Sequence, residues 1–297
     1  MKRKHLNLLL AVLVVGLAAA AYFAREKPEP PPPPLTGLKA DDINRILVRH
    51  AGRDDIRLEK RGSSWWLTAP VETRAEGIEV GALLELASRP SQRRYPVAEM
   101  ELAKLGLAPS DWSIQLNDVR LEFGGLDPIE SRRYVRLGET VHLIEDPPSA
   151  ALDADYHDLV ARRLLPEGAQ LTRIQLPGLT LSRNDKSGWT VTPASADQGA
   201  DAAQKMADAW LRAQAMWVSP LDRRKRAQGE VRIQAGEENF RFVILDRQEQ
   251  LLLARPELGV QFALSKTLDS ELFELKAPPK PEAKPQDAAA GKPAGQP

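Results

Sequence analysis

The residues of this chain that could do chemistry are few and widely spaced. There are four histidines, His5, His50, His142 and His157. An imidazole acts as base, shuttle or ligand only beside a partner, and no H-E-x-x-H helix accompanies any of them. Cysteine is absent. That excludes disulfide frameworks, thiolate metal sites and a cysteine nucleophile. Asp41-Asp42 and Asp54-Asp55 are acidic pairs, but adjacent residues of an extended chain point to opposite faces, so neither pair makes a general acid/base couple. Gly124-Gly125-Leu126-Asp127-Pro128 has the glycines of a phosphate loop without its Lys-Ser/Thr or its helix, and reads as a turn. No Gly-x-Ser-x-Gly elbow occurs. The sequence thus offers no catalytic, cofactor-binding or metal-binding residue and points away from an enzyme. A hydrolase would need His157, Asp155 and a serine to converge in one pocket.

Two other residue sets could bind rather than react. Arg223-Arg224-Lys225-Arg226 is the densest charge run, expected in a solvated loop, with contact to anionic lipid or an acidic partner as the sharper reading. The tryptophans divide by their place in an internal repeat. Trp66 and Trp189 correspond and are expected to anchor the cores of their units. Trp65, Trp112 and Trp217 align with Gly188, Val231 and Arg94, and so are candidates for contact between repeats or with a partner.

The repeat is what must position these residues. Ile56, Leu58, Lys60, Trp66, Thr68 and Pro70 find like residues at Leu179, Leu181, Arg183, Trp189, Val191 and Pro193, an offset of 123. The same offset carries Val80, Leu83, Leu84 and Ala87 onto Ala203, Met206, Ala207 and Trp210, each quartet being the i, i+3, i+4, i+7 stripe of an amphipathic helix. After a four-residue deletion the offset is 119, and Ile114, Phe123, Asp127 and Arg136 meet Ile233, Phe242, Asp246 and Arg255. Strands with period-two alternation joined by short turns imply antiparallel pairing. The expected architecture is α+β: two tandem repeats, 38–149 and 169–276, each a mostly antiparallel sheet with one packed helix, joined by a linker helix within 150–168.

The ends read differently. Residues 6–24 are apolar apart from Asn7 and, as a helix of about 28 Å, would match a hydrocarbon core of about 30 Å. Lys2, Arg3 and Lys4 precede them, so residues 1–5 are expected in the cytoplasm and the body in the periplasm, the chain being a single-pass inner-membrane protein. A cleaved signal peptide, with cleavage near Ala18-Ala19-Ala20-Ala21, is the competing reading. Residues 25–37 are a proline-rich spacer, expected as a stiff polyproline helix, and 277–297 a disordered Pro/Ala/Lys tail. Setting aside Lys2, Arg3 and Lys4 leaves 38 basic against 41 acidic residues, a near-neutral body that argues against nucleic acid as a partner.

Gly62-x-x-Trp65-Trp66-Leu67-Thr68-Ala69-Pro70, Ala75-Glu76, Leu105-Gly106-Leu107-Ala108-Pro109, Arg133-Tyr134-Val135-Arg136-Leu137-Gly138 and the stretch 159–165 resemble a family of bacterial envelope proteins known only as a domain of unknown function. Ala75-Glu76 stands where that family usually has Ala-Asp. Some of its members sit with ABC-type export or gliding-motility components, so the resemblance implies a non-catalytic accessory or scaffold protein of an envelope assembly. A glycan, peptidoglycan or lipid binding module is the alternative that the unpaired tryptophans suggest.

Overall fold

The computed structural model describes residues 5, 10–17, 19, 30–148, 153–184, 188–194 and 200–275. In chain order the elements are β1 Arg45–His50, β2 Ile56–Arg61, β3 Ser64–Ala69, β4 Thr73–Arg74, α1 Gly77–Glu85, β5 Ser91–Pro96, β6 Trp112–Leu116, β7 Val119–Leu126, β8 Arg133–Leu137 and β9 Thr140–Ile144. There follow β10 Leu171–Leu176, β11 Leu179–Arg183, β12 Trp189–Thr192, α2 Ala200–Arg212, β13 Trp217–Pro220, β14 Gly229–Ala235, β15 Glu238–Asp246, β16 Leu251–Arg255, β17 Val260–Leu264 and α3 Leu268–Phe273. The strands form two antiparallel sheets, of nine and eight strands. The chain divides into two compact units, Met1–Arg53 with Ala82–Pro148, and Asp54–Gly81 with Ser149–Pro297. These bounds fall at different residues from the sequence repeats 38–149 and 169–276.

Period-two patterning builds the strands. In β2 the buried Ile56 and Leu58 alternate with exposed Arg57 and Glu59, and in β15 Phe242 and Ile244 are buried on one face, with Leu245 buried beside them, because successive side chains face opposite sides of a sheet. The eight-stranded sheet runs β12-β11-β10-β14-β15-β16-β17-β13. Pairings of the larger sheet reproduce it one by one: β2 with β3 as β11 with β12, β1 with β6 as β10 with β14, and β6 with β7 as β14 with β15. The series continues with β7–β8, β8–β9 and β9–β5 against β15–β16, β16–β17 and β17–β13.

The core of the first unit gathers Ile43, Ile46, Leu121, Val135 and Val141, all nearly inaccessible. In the second, Ala203, Met206, Ala207 and Trp210 of α2 are all buried, the stripe that the helical spacing predicts. Trp210 anchors it, with its indole N–H donating to the Leu272 carbonyl at 3.0 Å and its ring 6.0 Å from that of Phe242. The corresponding stripe near α1 ends differently. The chain tightens into a 3-10 turn at Leu86–Ser88, so Leu86 is buried in place of the half-exposed Leu84.

Several expectations are corrected. Among the described residues no helix is long and apolar enough to cross a membrane. Within 6–24 the described residues are 10–17 and 19, all helical. Residues 1–4, 6–9, 18 and 20–29 lie outside the described residues, as does the tail from 276 onward. The single-pass anchor is overturned, and with it the inner membrane as partner and the cytoplasm-to-periplasm topology. The spacer does not run free to residue 37. Ser91 N–H donates to the Pro33 carbonyl, Leu35 N–H to Arg89 and Thr36 N–H to Ala87, and Leu35 and Thr36 are buried. The expected joining helix is, over its described part, a 3-10 turn at Tyr156–Leu159 followed by extended chain. The backbone of 159–165 is bonded to other segments and not to itself.

Candidate functional site

That extended segment builds the site in the second unit. Ala75 N–H donates to the Trp65 carbonyl at 2.9 Å, continuing the β3–β4 pairing past Arg74. Ala161 N–H then donates to the Arg74 carbonyl at 3.0 Å, and Glu76 N–H to the Leu159 carbonyl at 2.8 Å. On its other side Ala215 N–H donates to the Arg162 carbonyl at 2.8 Å, and Leu164 N–H to Ala213 at 3.1 Å. The segment is thus held along both edges. Glu76 secures it further: its carboxylate accepts the Arg162 backbone N–H at 2.9 Å, and the Arg162 guanidinium donates to Glu79 at 2.7 Å. Leu159, Val160, Leu164 and Leu165 are buried.

A cavity of about 580 Å3 lies here, lined from β3 by Trp65 and Trp66, from β4 by Arg74, from the segment by Arg163, and from the second sheet by Phe240 and Arg255. Its size is that of an ordinary ligand pocket. Trp66 has the guanidinium of Arg61 5.1 Å from its ring centroid and that of Arg74 at 5.3 Å, a cation–π cluster across three strands. Arg255 sits 5.7 Å from the Phe240 ring and is bonded to Glu257 at 2.7 Å. The lining carboxylates nearest β4 are committed, Glu72 to Arg61 at 2.8 Å and Glu76 to the Arg162 N–H. Arg74 is not: its Nε is shielded from solvent and has no hydrogen-bond partner among the described residues. The lining therefore joins aromatic faces to hydrogen-bond donors and acceptors. No histidine is part of it, and among the described residues no group of three His, Asp or Glu could hold a metal ion.

Set beside known proteins, residues 65–223 match the family described as Domain of unknown function (DUF4340), more than half of the 297 residues. The chain belongs to this family. No curated protein and no solved structure matches it. Within the DUF4340 match, two pieces of the resemblance, Ala75-Glu76 and the 159–165 stretch, are the partners that hold the cavity wall. A third, Leu105-Gly106-Leu107, lies in the first unit against β7. The Gly125 N–H donates to the Leu105 carbonyl at 2.8 Å, and a Cβ on Gly124 would lie 2.2 Å from that oxygen. Gly124-Gly125 thus allows close backbone packing.

The tryptophans fall in three different places. Trp65 lines the cavity. Trp112 is buried in the first unit, its ring centroid 3.8 Å from that of Phe123. Trp217, on the last strand of the eight-stranded sheet, is 49% exposed beside the exposed Met216. The register also reassigns Trp66. Lys60 is opposite Trp65 and Leu58 opposite Leu67, whereas Arg183 is opposite Trp189 and Leu181 opposite Val191. The structural counterpart of Trp189 is therefore Trp65. Trp189 is buried and donates to Gln204 at 3.1 Å. Trp66 occupies the opposite face from the buried Leu67 and is no core anchor, since a one-residue slip exchanges the faces of a strand.

The remaining candidates have local roles. Arg223, Arg224, Lys225 and Arg226 are exposed between β13 and β14, where Arg224 bonds Asp222 at 3.0 Å and holds its carboxyl below the usual range. Asp41 and Asp42 form a 3-10 turn. Asp155 belongs to a capping box with Asp158. No serine is hydrogen-bonded to His157 among the described residues. The serine–histidine pair that does exist, Ser91 Oγ to His142 Nδ1 at 2.8 Å, is buried in the first unit. Sequence reasoning missed Arg74, Arg163 and Phe240. The signal available was Arg74's position directly before Ala75-Glu76.

Proposed function

We propose that this chain is a non-catalytic binding module that takes a segment of a glycan in the cavity of its second unit. One observation carries the reading: the lining pairs the faces of Trp65 and Phe240 with guanidinium donors and carboxylate acceptors around a volume of about 580 Å3. Sugars present an apolar C–H face and a ring of hydroxyls, so they need both kinds of group in one site. Titration of the full chain with neutral and acidic oligosaccharides, followed by tryptophan fluorescence and calorimetry, tests it. Saturable binding that Trp65→Ala weakens is expected, and a panel without saturable binding sinks the reading.

A second reading is the accessory or scaffold role in an envelope assembly, beside an ABC-type exporter or a gliding-motility component, that the family resemblance implies. The exposed Trp217 and Met216 support it as a contact surface. Affinity purification should recover a stoichiometric partner, and Trp217→Ser should lose it. Recovery of none counts against this role.

A further inference from the structure

We infer that the sugar held in the cavity is an acidic one, carrying a carboxylate or phosphate ester whose charge is seated on Arg74. This rests on the glycan-binding reading and narrows it. Arg74 lines the cavity without an ion pair among the described residues, and its Nε is buried without an acceptor. A guanidinium presents parallel N–H groups in a planar fork that matches the paired oxygens of a carboxylate or phosphate. Of the four carboxylates that line the cavity, Glu72 is engaged by Arg61 and Glu76 by the Arg162 N–H, and Glu167 and Glu238 make no ion pair with Arg74. Arg163 supplies a second cation to the same cavity, exposed and also without an ion pair among the described residues. It lies two residues past Ala161, whose N–H bonds the Arg74 carbonyl. The Arg74 guanidinium lies 5.3 Å from the centroid of the Trp66 ring, so the charge and an aromatic side chain are presented together. A charged sugar ring satisfies both; a free anion uses only the first.

The test uses the full chain and three probes: tetragalacturonic acid, its methyl ester, and inorganic phosphate. Calorimetry should show the acid bound at least about tenfold more tightly than the ester, the gain expected of a charge-assisted fork. Arg74→Gln should abolish that preference, the acid losing at least about tenfold more affinity than the ester. Arg163→Gln, an exposed position that does not endanger folding, should reduce it in the same direction. Equal affinity for acid and ester overturns the inference and leaves the glycan-binding reading standing. Phosphate that displaces the acid at comparable concentration overturns it in favour of a plain anion site. Failure of both oligosaccharides to bind overturns the inference and the glycan-binding reading together.

Discussion

The carboxylate of Glu76 accepts the backbone N–H of Arg162 at 2.9 Å, joining residues 86 positions apart in sequence. Glu76 also donates its own N–H to Leu159, so it grips the cavity wall by side chain and main chain. Glu76→Ala is expected to cost about 1–2 kcal/mol, because a half-buried N–H loses a charged acceptor. Glu76→Gln keeps an acceptor oxygen and should recover most of that. Urea unfolding at constant m-value checks it, and equal losses for the two variants would mean that charge, and not acceptance, holds the segment.

The register argument makes a second prediction. Trp189 and Trp66 match in the sequence repeat, yet Trp189 is buried and Trp66 half-exposed between two arginines. Trp189→Ala should therefore cost about 3–5 kcal/mol as a truncated core aromatic. Trp66→Ala should cost about 1 kcal/mol, the worth of an exposed cation–π cluster. Similar losses at the two positions would restore the equivalence that the sequence suggests.

Gly124 and Gly125 give a contrast within one dipeptide. A Cβ on Gly124 meets the Leu105 carbonyl oxygen at 2.2 Å, a backbone atom that cannot turn aside, whereas on Gly125 the nearest atom is 3.7 Å away. Gly124→Ala is expected to lower stability by about 1–3 kcal/mol and Gly125→Ala to stay within about 0.5 kcal/mol. Thermal unfolding of both variants decides it, and a tolerant Gly124 would mean that the 105–107 loop can move off β7.

Strands and the α2 stripe were legible in the sequence because each is a local periodicity. The register of β3 against its counterpart was not. Five residues separate Arg183 from Trp189 where four separate Lys60 from Trp65, and the extra residue is given back by a bulge at Thr68, between the Arg57–Ala69 and Leu58–Leu67 pairings. A slip out and back leaves the offset of 123 intact at Pro70 and Pro193, so only the backbone reveals it. Residues 159–165 misled for another reason. Leu159, Leu164 and Leu165 are buried, but as extended chain bonded to 74–76 and 213–215, and tertiary pairing outweighs a weak helical propensity. The cavity was invisible for the same cause, since Trp65, Arg74, Arg163 and Phe240 meet through those long-range bonds.

His142 supplies a pH test of the first unit. It is 4% exposed, and burial, with Arg94 as a second cause, lowers its pKa from 6.5 to about 4. Below its unfolded value the unfolded chain binds the proton and the folded chain does not, so stability rises with pH across this window. The contribution is complete above pH 6.5, falls as pH drops, and is gone below about pH 4, a change of about 3 kcal/mol at 1.36 kcal/mol per pKa unit. The sequence itself suggests the substitution, since the repeat places Gln261 at the corresponding position. His142→Gln also alters the bond to Ser91, so its absolute stability is uninformative and the slope is the readout. Between pH 6.5 and 4 the wild type should lose about 3 kcal/mol more than the variant. Parallel curves would show that His142 takes up its proton without leaving its buried site.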